Sequence, residues 1–336
     1  MQYDYRKLNS LICKSGCTDI DVVNTNMKVL GKGGQGIVYL YESNKCGQSA
    51  VKVSKNIPES INEIFFLKET KKLVDRKVCP HFVYNYCSRK EGNRMYIYNE
   101  YADGTLEEWF KSHHTENEWK SMLFQLLYAI YVFQKKLGGV HNDLKPKNIL
   151  FKKIIGGIFE YVISGKKYYV PTHGYLFMMA DYGKSESLLQ DKHNREKVES
   201  LIKTDSDYEY IYTLPKRILV SAAQNKFKNM DVFLKTIREK IDDKFTTYME
   251  SEKNKINNDL SKYPQKIRDN MLLRSMIYYA IEREIIKIGN IESEYFVMKY
   301  PPDGMDKFIE FKLSLDAVGQ SYGHTSDSII DTFIIE

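Results

Sequence analysis

Hydrophobic and polar positions change rhythm along the chain. Between residues 27 and 101 they fall into short β-rich runs, MKVLG, GIVYLYES, SAVKVSK, FVYNYCS and RMYIYNEY, separated by glycine and polar turns. That is the pattern of an antiparallel meander. One helix interrupts it from near Pro58, where Ile61, Ile64, Phe65, Leu67, Leu73 and Val74 approximate a 3.6-residue period and Ser60 and Glu63 are spaced as a capping box. After a break at 102–105 the rhythm becomes helical. Trp119, Met122, Leu123, Leu126, Leu127, Ile130 and Phe133 share one face, and Gly138 and Gly139 end it. Two further helices are expected at 231–257, through Phe233, Ile237, Ile241 and Phe245, and at 264–288, through Ile267, Met271, Ile277 and Ile281 with Pro264 in the first turn. A β-rich first part therefore precedes a helix-rich second part, an α+β chain.

Composition narrows the class. With 336 residues, 43% hydrophobic and 28% charged, and only 8 prolines and 19 glycines, the chain is globular and neither collagen-like nor disordered. No apolar run is long enough to span a bilayer and MQYDYRKLNS is too charged for a secretion signal, so the expectation is a cytoplasmic protein without a membrane partner. Cys13, Cys17, Cys46, Cys79 and Cys87 are odd in number and lack zinc-site spacing, which favours reduced thiols. The net charge of +6 sits in positions 1–100, with 16 basic and 10 acidic residues, and the rest holds 34 of each. No run of five like charges occurs, so no nucleic-acid partner is expected.

Four blocks carry candidate chemistry. Gly31, Gly33 and Gly36, with Val38, form GKGGQGIV between two strands. Residues without side chains let a phosphate chain approach backbone amides, although such a loop alone is as readily a glycine-rich hairpin. Lys52, on the next strand, needs a charge partner if buried, and Glu63 and Glu69 on the following helix are both candidates, with Glu63 slightly favoured. HNDLKPKNIL places Asp143 and Asn148 five apart around Pro146. A carboxylate there can take a hydroxyl proton, and an amide oxygen can ligate a hard cation. Lys145 can meet a transferring phosphoryl group. Asp181, in MMADYG, ends an apolar run and precedes a glycine, a place suited to holding a metal between phosphates.

In this order, the blocks resemble the signature set of eukaryotic-type protein kinases. The resemblance spans 31–183 and implies a bilobal fold, with an N-lobe at 1–101 and a helical C-lobe at 102–290; the remaining 291–336, with 9 acidic residues against 3 lysines, is an acidic segment. It implies that the glycine loop covers ATP phosphates, that Lys52 binds them while paired to Glu63, that Asp143 is the catalytic base, and that Asn148 and Asp181 hold Mg²⁺. NEYADGTLEEW looks like the kinase hinge, with Asn99 as gatekeeper and the backbones of Glu100 and Ala102 facing adenine. DLKPKN resembles serine/threonine kinases, implying protein substrates.

Departures from the pattern are informative. Asn142 stands where the family usually has arginine, 33 positions separate Asn148 from Asp181, and no A-P-E follows. The stretch SGKKYYVPTHGYLFMMADYG looks like the corresponding region of haspin and of large-DNA-virus, iridovirus-like kinases, so a viral protein in host cytoplasm or virion is the implied setting. A small-molecule kinase of the same fold and a pseudokinase scaffold are the alternatives. Retention of Lys52, Asp143, Asn148 and Asp181 argues against the scaffold.

Overall fold

The computed structural model describes residues 6, 28–34, 36–43, 47–190, 195–203, 207, 210–211, 226–227, 229–283 and 329–335. The chain forms two compact units, 1–211 with 302–336, and 212–301.

In the first unit β1 (Val29–Gly33), β2 (Gly36–Ser43), β3 (Gly47–Ser54), β4 (Asn85–Glu91) and β5 (Arg94–Glu100) make one antiparallel sheet in the order β1-β2-β3-β5-β4. Side chains alternate faces along each strand. Val51, Tyr96 and Tyr98 therefore bury together on one face, while Lys52, paired across the sheet with Val38 and Ile97, belongs to the other.

Helix α1 (Ile57–Asp75) joins β3 to β4. Its cap is Asn56, whose side chain accepts from the Glu59 amide at 3.3 Å, and not the expected Ser60–Glu63 box. Ser60 lies inside the helix and returns its hydroxyl to the Asn56 carbonyl. The buried face is Ser60, Glu63, Phe66, Leu67, Thr70 and Leu73, and Ile61 is exposed. Of the expected apolar stripe, Leu67 and Leu73 are buried, while Ile61 is not, because Glu63 and Thr70, both polar, belong to the buried side.

After β6 (Gly104–Thr105) and the short α2 (Leu106–Trp109) comes α3 (Glu116–Leu137). Thr115 and Glu118 cap its start reciprocally, and Gly138, at φ 53°, closes it in the left-handed region that favours glycine. The predicted stripe is buried, and so is everything from Ser121 to Gln134. Two polar side chains in that span are tied to distant backbone: Gln125 accepts from the Phe177 amide and Tyr128 donates to the Val78 carbonyl.

The long spacer before Asp181 is two nested hairpins. After β7 (Gly139–Val140), strand β8 (Ile149–Lys153) pairs with β11 (Tyr175–Met179), and β6 adds to the other edge of β8. Between them β9 (Ile158–Ile163) and β10 (Lys166–Pro171) form a second hairpin, turned by Ser164 and Gly165, both at positive φ. Strand β12 (Glu186–Ser187) returns to pair with β7. Residues 329–335, inside the segment read as an acidic tail, form β13 (Ile329–Ile335), which lies parallel to β9. Phe333 packs against Phe159 and Tyr161, and Lys77 pairs with Asp331 at 2.7 Å. Helix α4 (Arg195–Lys203) completes the described elements of this unit.

The second unit holds α5 (Met230–Ile237), α6 (Asp243–Asp259) and α7 (Gln265–Glu282) around Phe233, Ile237, Phe245, Leu273, Met276, Ile277 and Ala280. The single helix expected at 231–257 is broken, because Asp242 caps a new helix through the Phe245 amide at 2.7 Å. Ile241, at the break, is exposed. So are Ile267 and Met271, expected core positions, since α7 packs through Leu273, Met276 and Ile277 instead. The side chain of Ile281 lies outside the described residues.

Cys79 is a free, buried thiol, as expected, but Cys87 is disulfide-bonded. An odd cysteine count could not distinguish that pairing. No helix among the described residues is long and apolar enough to cross a membrane.

Candidate active site

Strand β3 and helix α1 bring the first charges together. Lys52 Nζ donates to Glu63 Oε2 at 2.7 Å and to Asp181 Oδ1 at 2.8 Å. Burial alone would lower the lysine pKa, but the two facing carboxylates outweigh it and hold the ammonium above its ordinary value. Glu69, the other candidate, pairs with Lys72 on the helix surface. Asp181 sits at φ 64°, a left-handed conformation uncommon for a residue with a side chain. Tyr182 anchors the turn: its hydroxyl donates to the Met179 carbonyl, and its ring packs with Phe66, Phe133 and His141.

The glycine positions play different parts. A methyl group at Gly31 or Gly33 would meet nothing within 4 Å, whereas at Gly36 it would lie 2.3 Å from the Val53 carbonyl oxygen. Gly36 is thus required by the sheet, and the other two leave the backbone open to a phosphate chain. Val38 lies opposite Lys52 in the register. At the end of β5, the Glu100 carboxylate is fully buried and bound by Arg6 and the Tyr84 amide, and the Glu100 amide donates to the Tyr84 carbonyl at 2.9 Å. Asn99 accepts from the Asn85 amide at 2.9 Å.

The catalytic-loop candidates also converge. Asp143 Oδ2 accepts from Lys145 Nζ at 2.8 Å and Asn148 Nδ2 at 3.2 Å, and pairs with Lys184 Nζ at 3.5 Å. Despite partial desolvation, Lys145 and Lys184 hold the Asp143 carboxyl below its ordinary range. Asn148 Nδ2 also donates to the Asp143 carbonyl, so both amide hydrogens are used and Oδ1 is left to ligate. His141 ties this loop to Asp181: its Nδ1 accepts from the Asp143 amide, which leaves Nε2–H to donate to the Ala180 carbonyl at 3.0 Å. Burial keeps this imidazole pKa low and the ring neutral.

Among the described residues no group of three or more His, Cys, Asp or Glu could hold a metal alone. The donor set fits Mg²⁺ nonetheless. That ion is commonly held by one or two protein oxygens together with phosphate oxygens, and Asn148 Oδ1 and the Asp181 carboxylate supply such atoms.

Three participants escaped the sequence reading. Asp207 Oδ2 accepts from the His141 amide at 2.7 Å and holds the loop from below, buried and with its carboxyl raised by that burial. Lys184, directly after the D-Y-G, shares Asp143 with Lys145. Arg6 reaches behind the hinge, pairs with both Glu100 oxygens and donates to the Pro80 and Phe82 carbonyls. Nothing in MQYDYRKLNS distinguishes that arginine from a surface one, because its partners are 74 to 94 residues away. Asp207 has no local motif either.

A family model described as "Protein kinase domain" matches residues 24–267, well over half of the chain. The chain belongs to the protein kinase family. Among curated relatives, a protein of Frog virus 3 (isolate Goorha) provisionally named serine/threonine-protein kinase 019R is 42% identical over 66 residues, which cover 19% of this chain and 8% of that protein. "Probable serine/threonine-protein kinase 380R" of Invertebrate iridescent virus 6 is 26% identical over 209 residues, 52% of this chain and 39% of the relative. "Uncharacterized protein R403" of Acanthamoeba polyphaga mimivirus is 31% identical over 146 residues, 40% of this chain and 18% of that protein. The kinase thus resembles those of large DNA viruses, and it spans well under half the length of these relatives.

Proposed function

We propose that this kinase transfers the γ-phosphoryl group of ATP to serine or threonine hydroxyls of protein substrates. The observation that carries the reading is Lys52 bridging Glu63 and Asp181, on the same framework that holds Asp143. Bound ATP is then met by the open glycine backbone and by Lys52, while the buried Glu63 keeps that ammonium in place. Asn148 Oδ1 and the Asp181 carboxylate would hold Mg²⁺, which would supply neutralisation of phosphate charge. The protein's remaining work is positioning and electrostatics. With Oδ2 of Asp143 occupied by Lys145, Asn148 and Lys184, Oδ1 is the atom that orients the substrate hydroxyl and takes its proton. The new O–P bond forms as the bond from γ-phosphorus to the ADP oxygen breaks, and Lys145 lies next to the charge that moves.

The names of the iridovirus and frog-virus relatives, together with Lys145 in DLKPKN, support serine/threonine as acceptor. Radiolabelled transfer to a panel of proteins, followed by phosphoamino-acid analysis, tests this. Phosphoserine or phosphothreonine is expected. Phosphotyrosine alone would reject the acceptor class, and label only in a small metabolite would reject the protein substrate.

A further inference from the structure

The helix residue beside Glu63 makes contacts that the motifs do not explain. Asn62 Nδ2 donates to the Gly183 carbonyl at 3.0 Å and the Ser185 carbonyl at 2.9 Å, and lies 3.4 Å from that of Tyr182. Its Oδ1 accepts from Gln190 Nε2 at 2.6 Å. Carbonyls on one side and an amide donor on the other fix the orientation of the group, and its hydrogen-bonding capacity is engaged on both sides. Consecutive side chains of α1 therefore hold Lys52, through Glu63, and the backbone just after Asp181, through Asn62.

The same backbone meets the catalytic loop through neutral groups. Asn142 Nδ2 donates to the Lys184 carbonyl at 3.3 Å and Ser185 Oγ to the His141 carbonyl at 3.2 Å. Glu186 and Ser187 pair with Val140 and Gly139. Asn142 sits at φ 60°, a conformation that asparagine tolerates better than most residues, and occupies the position of the arginine that the resemblance led one to expect.

We propose that Asn62 is a positioning residue which, together with Asn142, latches the 182–187 backbone in the transfer-competent arrangement without any phosphate on the chain. This rests on the phosphoryl-transfer reading above. Neutral amides satisfy carbonyls without desolvating a charge, so the latch closes without a modification. Because the hydrogen bonds of both asparagines across the site go to residues 182–190, their loss acts on turnover more than on nucleotide affinity.

The test uses the full chain, treated with phosphatase until its intact mass carries no phosphate, as wild type, Asn62→Ala and Asn142→Gly; the glycine keeps the left-handed backbone and removes the amide. Three readouts are taken: kcat, KM for ATP, and amide hydrogen exchange over 182–190, where the Ser185, Leu188 and Gln190 amides are bonded. The expected result is undiminished transfer by dephosphorylated wild type. In each variant kcat falls tenfold or more, KM changes less than threefold, and exchange over 182–190 is faster. Transfer that disappears on dephosphorylation and returns on phosphorylation would overturn the proposal, as would wild-type exchange and kcat in Asn62→Ala. If wild type transfers nothing before or after phosphatase, the functional reading fails instead. Exchange then decides the latch alone, with accelerated exchange in Asn62→Ala supporting it and unchanged exchange rejecting it.

Discussion

Asp143 carries its donors on one carboxylate oxygen, Oδ2, and the difference between its two oxygens defines what the residue can do. Lys145 and Lys184 keep the group ionised, so it is ready to accept a proton at neutral pH and loses that ability only as pH falls through its depressed value. Lys145→Ala removes the nearer ammonium, which raises the Asp143 pKa toward the ordinary carboxylate range. The acid limb of the pH profile of kcat/KM is therefore expected to move to higher pH, and an unmoved limb would dissociate Lys145 from this carboxylate. The glycines make a second contrast at this scale. Gly36→Ala forces a methyl group against the Val53 carbonyl and should cost about 1–3 kcal/mol of stability. Gly33→Ala, with open space around it, should leave the denaturation midpoint nearly unchanged and raise KM for ATP. Denaturant unfolding and ATP titration of both variants separate the two roles.

At the scale of elements, what the sequence discloses depends on how local the determinant is. The five strands of the first sheet and helix α3 were readable because alternation, apolar spacing and a terminal glycine all lie within a few residues of each other. The start of α1 near Pro58 was readable, but its buried face was only partly so, because two polar residues, Glu63 and Thr70, face the interior, where Glu63 meets a lysine from β3. The long spacer before Asp181 was visible as excess length, but not as a hairpin within a hairpin. Strand β13 was invisible, since its partner β9 is more than 160 residues earlier in the chain. Phe333 and Ile335 are buried, which makes β13 part of the fold of this unit: Phe333→Ala should destabilise it by about 3–5 kcal/mol, measured as a loss of unfolding free energy in urea. A cost under 1 kcal/mol would mean that β13 is a dispensable addition.

For the whole molecule, the order of the chemical blocks was enough to suggest the family, and the family model independently covers residues 24–267. What the order could not supply was the set of long-range braces: Arg6 behind the hinge, Asp207 beneath the catalytic loop, and Asn62 across to the segment after Asp181. None has a local signature, because each acts on backbone groups or charges far away in sequence. We propose that this assembled framework performs a phosphoryl transfer with Asp143 as the base. Its most direct measurement is the rate of γ-phosphate transfer from Mg-ATP by wild type and Asp143→Ala, with nucleotide binding followed in parallel by thermal stabilisation. The expected result is a loss of about 10²–10⁴-fold in rate with nucleotide binding retained; equal rates in the two proteins, or a wild type that binds ATP and transfers nothing, would contradict it.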